Sequence, residues 1–427
     1  MHGTTRTLLR SRRRKAAVGA LGAVTLLALA ACGSSNSGTS PSAASSSGAA
    51  APGKPLTVLI GSSGAAETTS VTDAVAAWSK QSGTQATVKV ASDLGQELSQ
   101  GFASGQPADV FYVGADVLQG YASNGSLLSY GDQLSNAGDF YKSLRDQFTY
   151  KGKLVCAPKD FSTLALVINT ADWTAAGLTD ADVPTTWDQL SSVAKKLTTP
   201  AHVGLGIGGE YARLDVFMAQ AGGAMESADG KKATVDSPEN LAGLNYIKGL
   251  LNDKTAAFAK DLGTGWGGEA FGTGKAAMTI EGNWITGAMS KDYPNIKYKV
   301  VELPAGPAGK ATLQFTNCWG VAADSGNKTG AVDLVKFLTG KDQQLAAAKA
   351  FGVMPSITSA AAGWSALYPN MSAFITSAGF AKNVVNTKGS AAVITDFNSQ
   401  LGSLATADPK SILASVQKNL QAAIDAS

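Results

Sequence analysis

Few residues of this chain could perform nucleophilic or metal chemistry. The sequence has two histidines, His2 and His202, and three cysteines among its 427 residues. A Ser-His-Asp triad needs a histidine beside its nucleophile, and structural metal sites need clustered Cys or His ligands. Residues 204–209 and 263–268 match the dinucleotide pattern G-x-G-x-x-G, but both lie far beyond the first predicted strand-helix-strand unit. The sequence therefore predicts no catalytic residue, no metal and no cofactor.

Cys32 is the cysteine whose setting predicts a modification. Residues 1–15 carry six Lys/Arg and no acid, and the apolar residues 16–31 are too few to span a ~30 Å hydrocarbon core comfortably. The end of this run, Leu29-Ala30-Ala31-Cys32, resembles the lipobox of bacterial lipoproteins. The resemblance implies that residues 1–31 are a signal peptide and that Cys32 is acylated, with palmitate among its lipids, on the outer face of the cell membrane. The arginines at 12–14 leave general and twin-arginine export both open.

The net charge of the chain changes sign once this signal is removed. The signal takes away six of the 35 Lys/Arg and none of the 32 Asp/Glu, so the net charge falls from +3 to −3. A mildly acidic chain without a basic cluster predicts no nucleic-acid partner. After Cys32, residues 33–54 are almost wholly Gly, Ser, Ala, Pro and Thr. Residues 32–54 therefore predict an acylated cysteine followed by a disordered linker, with a reach of roughly 25 Å.

The remaining residues predict an α/β protein with two domains. Residues 56–60, 86–90 and 108–113 are strand-like, and residues 68–81 and the segment around Leu94 and Leu98 have helical spacing. This alternation favours a mostly parallel sheet that is covered on both faces. Strand and helix patterns then alternate to residue 350, with extended segments at 299–302 and 313–322, and the last sixty or so residues have a helical pattern. A body of about 370 residues exceeds what one hydrophobic core usually supports.

Four segments in the same order carry a family resemblance. They are residues 107–125, residues 152–169, residues 184–190 and the segment from Phe271 to Trp284, which reads FGTGKAAMTIEGNW. From about Lys54 to Ala426 the chain resembles the carbohydrate-binding solute-binding lipoproteins of ABC importers, the family that includes maltose-binding protein. The resemblance implies capture of a carbohydrate outside the membrane, without turnover, and delivery to the transmembrane permease subunits by a monomer that is held at the membrane by its lipid.

The same resemblance implies a two-lobed fold of the periplasmic-binding-protein type, with crossing strands that act as a hinge. One lobe is expected at residues 55–157 plus 320–362 and the other at residues 160–316 plus 368–427. Cys156 and Cys318 fall on segments that the resemblance makes neighbouring crossing strands. We therefore hypothesise a disulfide between them, which requires Cα atoms no more than ~7 Å apart.

A sugar site needs flat aromatic side chains for the C–H faces of the rings and planar polar groups for the hydroxyls. In the family, the residue matching Trp284 stacks on sugar and the residue matching Asp116 contacts it. The position three residues before Asp116 is Val113, where maltose-binding protein has an aromatic residue, so the same ligand is not implied. The other candidates follow predicted strands or lie in predicted loops, with core packing or a solvated loop as the alternative; they are Ser63, Glu67, Asp160, Ser162, Glu210, Tyr211, Arg213, Trp266, Asn283, Trp319 and Trp364, and more weakly Asn317 and Asn383.

Two other functions remain open at this point. An exported glycoside hydrolase would need two carboxylates flanking the cleft, for which Glu281 with Glu210 or Asp116 could be considered. A binder of glycerol phosphate or another polyol would keep the fold, since this family also takes up such compounds. A phosphate group would need Arg, Lys or a helix N-terminus in the cleft, and Arg213 is the obvious candidate.

Overall fold

The computed structural model describes residues 53–426. The predicted signal peptide, Cys32 and almost all of the predicted linker lie outside these residues. The strands are β1 Leu56–Ile60, β2 Ala86–Val90, β3 Val110–Gly114, β4 Thr149–Tyr150, β5 Lys153–Leu154, β6 Ala157–Pro158, β7 Ser162–Asn169, β8 Val203–Ile207, β9 Ala256–Phe258, β10 Ala276–Gly282, β11 Tyr298–Val301, β12 Thr312–Phe315, β13 Asn317–Val321 and β14 Ala381–Asn383.

The α-helices are α1 Ala65–Ser82, α2 Leu94–Ser104, α3 Ala115–Ser123, α4 Lys142–Gln147, α5 Thr170–Ala175, α6 Trp187–Leu197, α7 Tyr211–Gln220, α8 Pro238–Asn252, α9 Gly267–Gly272, α10 Ile285–Lys291, α11 Lys328–Leu338, α12 Lys341–Phe351, α13 Ala361–Leu367, α14 Ser372–Thr376, α15 Ser390–Leu401 and α16 Pro409–Asp425. Short 3₁₀ turns lie at Gly131–Gln133, Asp180–Asp182, Ala259–Leu262, Thr358–Ala360, Pro369–Met371 and Ser377–Phe380.

Lobe 1, as we name it here, is built on a sheet with the strand order β2-β1-β3-β13-β6. Strand β1 is parallel to β2 and β3, as the alternation of strands and helices predicts. Strand β13 returns antiparallel between β3 and β6, so the sheet is mixed rather than mostly parallel. Helix α1 covers one face because Val71, Val75 and Trp78 recur at helical spacing and are all buried.

Lobe 2 is built on a second mixed sheet with the order β14-β12-β7-β10-β8-β9, in which β11 also pairs with β7. Strand β7 is antiparallel to β10, β11 and β12, whereas β10, β8 and β9 run parallel to one another. Residues Thr163–Asn169 of β7 are buried, as expected for a strand at the centre of a sheet covered on both faces.

Two short segments carry the chain between the lobes at the β6–β7 and β12–β13 junctions, and the chain crosses a third time between α12 and α14. Residues 159–161 join β6 to β7, and Thr316 interrupts the predicted extended segment 313–322 to join β12 to β13. The segments are bonded to each other, because the amide of Lys159 donates to the carbonyl of Asn317 at 2.9 Å and the Thr316 hydroxyl donates to the carbonyl of Asp160 at 2.6 Å. This arrangement matches the two-lobed α/β fold that the sequence predicts.

A disulfide joins Cys156 and Cys318 beside these crossing segments. Their Cα atoms lie 5.5 Å apart, within the range that the bond requires. Both residues are fully buried in a cluster that includes Leu59, Phe111 and Val113 of the lobe 1 sheet. Cross-linking residues 162 positions apart restricts the unfolded chain and anchors the start of one crossing segment to the end of the other.

None of the helices within residues 53–426 is long and apolar enough to cross a membrane.

Candidate functional site

A cleft of about 1510 Å³ is lined by residues of both lobes. Its wall is formed by residues that follow the carboxyl ends of strands, where ligand sites of open α/β sheets form. Ser63 and Glu67 follow β1, Asp116 follows β3, and Trp284 follows β10. The crossing segments supply the floor, and several predicted residues meet in this cleft, namely Ser63, Glu67, Asp116, Asp160, Ser162, Asn283, Trp284 and Asn317.

The floor of the cleft contains a buried cluster that we call the lobe 1 cluster, formed by Glu67, Lys159, Asp160 and Tyr112. The Lys159 ammonium lies 3.0 Å from Glu67 Oε1, contacts the carboxylate of Asp160, and sits 4.6 Å from the centre of the Tyr112 ring. The side chains of Lys159, Glu67 and Asp160 are 8%, 5% and 14% exposed. Lys159 was not predicted as a site residue, although it directly precedes the predicted Asp160.

Glu67 has no free acceptor for a ligand. Its Oε2 accepts bonds from the amide and hydroxyl of Ser63 at 2.8 and 2.7 Å, and its Oε1 accepts bonds from Tyr112 and Lys159 at 2.9 and 3.0 Å. A carboxylate offers about four lone-pair positions, so Glu67 is saturated. It therefore holds Ser63 and Lys159 in place, and the exposed Ser63 hydroxyl belongs to the cleft wall.

The pKa values of the two acids in the lobe 1 cluster are shifted in opposite directions. Burial would raise the pKa of Glu67, but the charge of Lys159 and the hydrogen bonds from Ser63 lower it below its usual value. Burial raises the pKa of Asp160, and the attraction of Lys159 does not fully offset it. The repulsion from the charge of Glu67 adds to the effect of burial on the pKa of Asp160, which accepts one hydrogen bond from Lys159, whereas Glu67 accepts four hydrogen bonds.

Trp284 is the exposed aromatic residue of the cleft. The residue is 38% exposed. The ring lies over Gly282, where an added Cβ would stand 2.2 Å from a ring carbon, so a side chain at position 282 would displace it. The indole N–H donates to Glu281 Oε2 at 3.0 Å, and Phe315 meets the ring edge to face at 5.6 Å. The indole is thus fixed before any ligand arrives.

A second acid-base-acid group, the lobe 2 cluster, supports this indole and consists of Glu210, Arg213 and Glu281. Arg213 lies 2.7 Å from Glu281 Oε2 and 3.5 Å from Glu210 Oε1, and its guanidinium stands 5.2 Å from the Trp284 ring centre. Glu281 is 1% exposed, and burial raises its pKa despite the attraction of Arg213. Arg213 Nε and Glu281 Oε1 are buried without a hydrogen-bond partner among the described residues.

Asp116, Ser162 and Asn283 take different positions in the cleft. Asp116 is exposed in the first turn of α3, close to Gly114. Ser162 is half-buried at the start of β7. Asn283 is 4% exposed and donates to the carbonyl of Gly352 at 2.8 Å, which ties the end of β10 to the end of α12. Asn283 is thus a link between elements, while Asp116 and Ser162 can face a ligand.

Three predicted contact residues lie in hydrophobic cores rather than in the cleft, and we replace their predicted binding role by a packing role. Tyr211 is 3% exposed in the lobe 2 core, where burial and the neighbouring Asp215 raise its pKa. Trp319 is 4% exposed and packs edge to face on Tyr112 at 4.8 Å. Trp364 is fully buried, and it lies in helix α13 rather than in the predicted loop.

Trp266 and Asn383 lie outside the lining of the cleft. Trp266 is half-buried and its ring covers Gly268, so the glycine-rich segment serves close packing rather than an exposed loop. Asn383 is the last residue of β14, and it donates to the carbonyl of Ser143 at 3.1 Å. Among the described residues there is no group of His, Cys, Asp and Glu that could hold a metal ion.

The cleft also contains residues that were not predicted as site residues. Phe315 and Thr316 lie at the second crossing segment, and an aromatic and basic group follows beyond Trp284, made up of Lys291, Lys297, Tyr298, Lys349, Phe351 and Tyr368. They come from helix ends and from β11, elements distant in sequence, so no local motif marks them. The one feature that these residues share in the sequence is a polar or aromatic side chain at the end of a helix or strand.

Comparison with known proteins identifies the chain at the family level. The family model described as bacterial extracellular solute-binding protein matches residues 73–377. A Brucella abortus protein named as a binding protein is 24% identical over 275 residues, which cover 61% of this chain and 65% of that relative. The matched part thus spans less than two thirds of this relative. A Deinococcus radiodurans protein named as an ABC transporter-binding protein is 28% identical over 177 residues, which cover 38% of this chain and 42% of that protein.

Solved structures share the fold. A cyclic α-maltosyl-1,6-maltose binding protein from Arthrobacter globiformis is similar with a TM-score of 0.78 and 20% identity, covering 88% of this chain and 100% of that one. An ABC substrate-binding protein from Listeria monocytogenes in complex with cycloalternan is similar with a TM-score of 0.74 and 22% sequence identity. The match covers 87% of this chain and 98% of that one. A Mycobacterium tuberculosis protein in complex with glycerophosphocholine is similar with a TM-score of 0.73 and 18% sequence identity. The match covers 87% of this chain and 98% of that one.

Proposed function

Because the chain belongs to the family of bacterial extracellular solute-binding proteins, we propose that it captures a carbohydrate between its lobes and delivers it to the permease of an ABC importer. The observation that carries this proposal is Trp284, an indole fixed in place and exposed at the cleft. A flat, immobilised aromatic face suits the C–H face of a sugar ring. Because the indole is already held in one position, ligand binding costs little side-chain conformational entropy. Ser63, Asp116, Ser162 and Thr316 provide polar groups around it.

Capture would proceed by closure of the lobes. A ligand that contacts Trp284 on lobe 2 and Ser63 or Asp116 on lobe 1 makes its full set of contacts when the lobes are close together. It therefore shifts the population toward the closed form by its difference in affinity for the two forms. The crossing segments at 159–161 and Thr316 are the short connections at which we expect the rotation. The expected lobe boundaries remain predictions.

A neutral ligand is favoured over a phosphate diester. Lys159 and Arg213 are the basic groups at the floor and at the supporting cluster, and each already contacts two carboxylates. A phosphate would have to compete with these acids, so an anionic group is disfavoured there. The Mycobacterium tuberculosis neighbour shows that the fold can hold glycerophosphocholine, which makes this compound the appropriate competitor in a test.

We propose binding without turnover. Of the acids considered for glycoside hydrolysis, Glu281 is 1% exposed and bonded to Arg213 and Trp284, which keeps it away from a scissile bond. Glu210 lies beside Arg213 as part of the same cluster. A hydrolase requires two carboxylates flanking the bond that breaks, and this geometry does not offer Glu281 as one of them.

The lipid anchor belongs to the same proposal. Acylation of Cys32 would hold a monomeric binder at the outer face of the membrane, within reach of the permease. The test is expression of wild-type protein and Cys32→Ser in a bacterial host. We expect the wild type in the membrane fraction and the variant in the medium or periplasm, with a mass difference on the N-terminal peptide that matches acyl chains.

A thermal-shift screen of the purified protein tests the ligand class. The panel contains mono- and oligosaccharides, glycerol 3-phosphate and glycerophosphocholine. A ligand at 100 times its Kd adds about 2.7 kcal/mol to the free energy of unfolding, which gives a clear shift. We expect stabilisation by a neutral saccharide. Stabilisation by the phosphate compounds alone, or hydrolysis of a saccharide during incubation, would contradict the proposal.

A further inference from the structure

A second cavity, of about 290 Å³, lies between helix α1, which covers the lobe 1 sheet, and helix α12. Alanines on both helices leave this space, since Ala74 on α1 and Ala347 on α12 line it where larger side chains would fill it. Its volume is close to the lower end of the roughly 300–1,000 Å³ range of small-molecule sites. We call it the α1–α12 pocket and define it by Ser70, Asp73, Ala74, Trp319, Gln343 and Ala347.

The α1–α12 pocket is distinct from the cleft between the lobes. None of its six defining residues lines the cleft. The two cavities lie on either side of a wall that contains Lys159, Asp160 and Phe351, because these residues line both cavities. A molecule in the α1–α12 pocket therefore leaves the proposed saccharide site free.

The charged side chains of the pocket have an excess of negative charge. Asp73, Lys159 and Asp160 are the charged residues of its lining. Lys159 is paired with Glu67 as well as with Asp160, and the exposed Asp73 forms no ion pair with the described residues. The Asp160 carboxylate accepts one hydrogen bond, from Lys159, and so has acceptor positions left. A cation in the pocket would offset this excess, whereas an anion would be repelled.

Trp319 provides the pocket with a buried hydrogen-bond donor that has no acceptor. The residue is 4% exposed, and its ring packs against Tyr112. Its carbonyl accepts a bond from Tyr130, but its indole N–H donates to none of the described residues. The side chains of Ser70 and Gln343 are half-buried and likewise make no hydrogen bond within the described part of the chain. Since buried donors in proteins usually have a partner, an oxygen atom of a bound molecule would complete the bonding of Trp319.

We propose that the α1–α12 pocket is a second ligand site, for a small organic amine that has an apolar body and an oxygen acceptor. The ammonium group lies beside Asp73 and Asp160, the apolar body packs on the alanines and on Phe351, and the oxygen accepts a bond from the Trp319 indole. A few convergent polar groups in a mainly apolar cavity are the usual composition of such a site. The proposal does not depend on the ligand of the cleft.

The test is an NMR titration of the purified protein labelled with ¹⁵N-tryptophan, which gives one indole N–H signal for each of the seven tryptophans. The variants Trp319→Phe and Trp284→Phe assign the signals that report on the pocket and on the cleft. The probes are tyramine, tyrosol and 4-hydroxyphenylacetate, which share a phenol ring and are cationic, neutral and anionic near neutral pH. We expect tyramine to shift the Trp319 signal, to leave the Trp284 signal unchanged, and to bind at least about 5-fold more tightly than the other two probes.

Two substitutions and a matched control test the contacts. Ala347→Leu fills the space between the helices and should abolish tyramine binding. Asp73→Asn removes an exposed carboxylate and should weaken tyramine binding about 2- to 5-fold. Asp342→Asn, exposed on α12 outside the pocket lining, removes the same charge and should leave the affinity unchanged. Thermal denaturation checks that each variant is folded.

Four results would each refute the second site. They are an unchanged Trp319 signal with tyramine, a shift of the Trp284 signal in its place, equal binding of tyramine and tyrosol, and equal effects of Asp73→Asn and Asp342→Asn. None of these results bears on saccharide binding in the cleft, so the proposed function is tested separately.

Discussion

The lobe 1 and lobe 2 clusters share a charge pattern but differ in their hydrogen bonding and exposure. Each places one base between two acids beside an aromatic ring, Lys159 with Tyr112 and Arg213 with Trp284. In lobe 1, Glu67 accepts four hydrogen bonds. In lobe 2, Glu281 Oε1 and Arg213 Nε have no partner among the described residues, and the ring is exposed. One cluster fixes the floor of the cleft, and the other supports the exposed indole of Trp284.

The difference shows how similar charges can serve different purposes. A saturated buried network fixes one geometry, because the loss of any member leaves a charge unpaired. The lobe 2 cluster still has unpaired hydrogen-bonding atoms and lies beside the partly exposed Trp284 indole. It holds the ring in place without covering its exposed face. The following experiments test this contrast, from the largest expected effect to the smallest.

Removing the base of the lobe 1 cluster should have the largest effect on stability. Lys159→Met would leave Glu67 and Asp160 in the floor without a cation, and we expect the free energy of unfolding to fall by about 3–5 kcal/mol. Urea denaturation measures this loss. The control is Lys142→Met, which breaks an ion pair whose side chains are 78% and 49% exposed and should cost no more than about 1 kcal/mol. Equal effects of the two substitutions would contradict the proposed role of the lobe 1 cluster.

Removing the base of the lobe 2 cluster should act more on binding than on folding. Arg213→Met takes away the support of the Trp284 ring, and Glu281 can then take up a proton because burial already raises its pKa. We expect a loss of about 1–3 kcal/mol in unfolding free energy and a 3- to 10-fold loss of saccharide affinity by calorimetry. Arg145→Met on α4, away from the cleft lining, is the control. An unchanged affinity in Arg213→Met would show that Trp284 needs no support.

The two buried glutamates should produce opposite pH dependences of stability. The pKa of Glu67 is lowered, so its contribution to stability is present above its unfolded pKa and is lost as pH falls through its folded pKa. The pKa of Glu281 is raised, so its native form retains a proton that the unfolded chain loses, and its contribution decreases as pH rises.

Denaturation of wild type, Glu67→Gln and Glu281→Gln between pH 3 and 7 tests this contrast. As pH falls, the stability of the wild type relative to Glu67→Gln should decrease, and its stability relative to Glu281→Gln should increase. Slopes of the same sign would show that the two carboxyl groups have equivalent environments.

The sequence predicted the first parallel strands and the cleft residues that directly follow strands. Ser63 was predicted because it follows a buried strand and lies in a glycine-containing turn, whereas Asp116 and Trp284 were predicted from the resemblance to the family; all three follow strands and line the cleft. The antiparallel partners β13 and β6 could not be inferred from the alternation of strands and helices, because their pairing is set by chain crossings between the lobes.

Burial of individual tryptophans was harder to predict. Trp364 follows no strong helical pattern, and its complete burial depends on α12 and α14, which pack around it. Lys159 carries no signal by itself, since its partner Glu67 is 92 residues away. The aromatic and basic residues of the cleft beyond Trp284 likewise come together because β11, α10 and α12 meet in three dimensions.

The central claim is that a saccharide binds in the cleft against the exposed indole of Trp284. The most direct test is a calorimetric titration of wild type and Trp284→Ala with the saccharide that gives the largest thermal shift, using Trp187→Phe in lobe 2, outside the cleft lining, as a control. We predict at least about a 10-fold loss of affinity in Trp284→Ala, with little change in the control. Equal affinity in wild type and Trp284→Ala would contradict the claim.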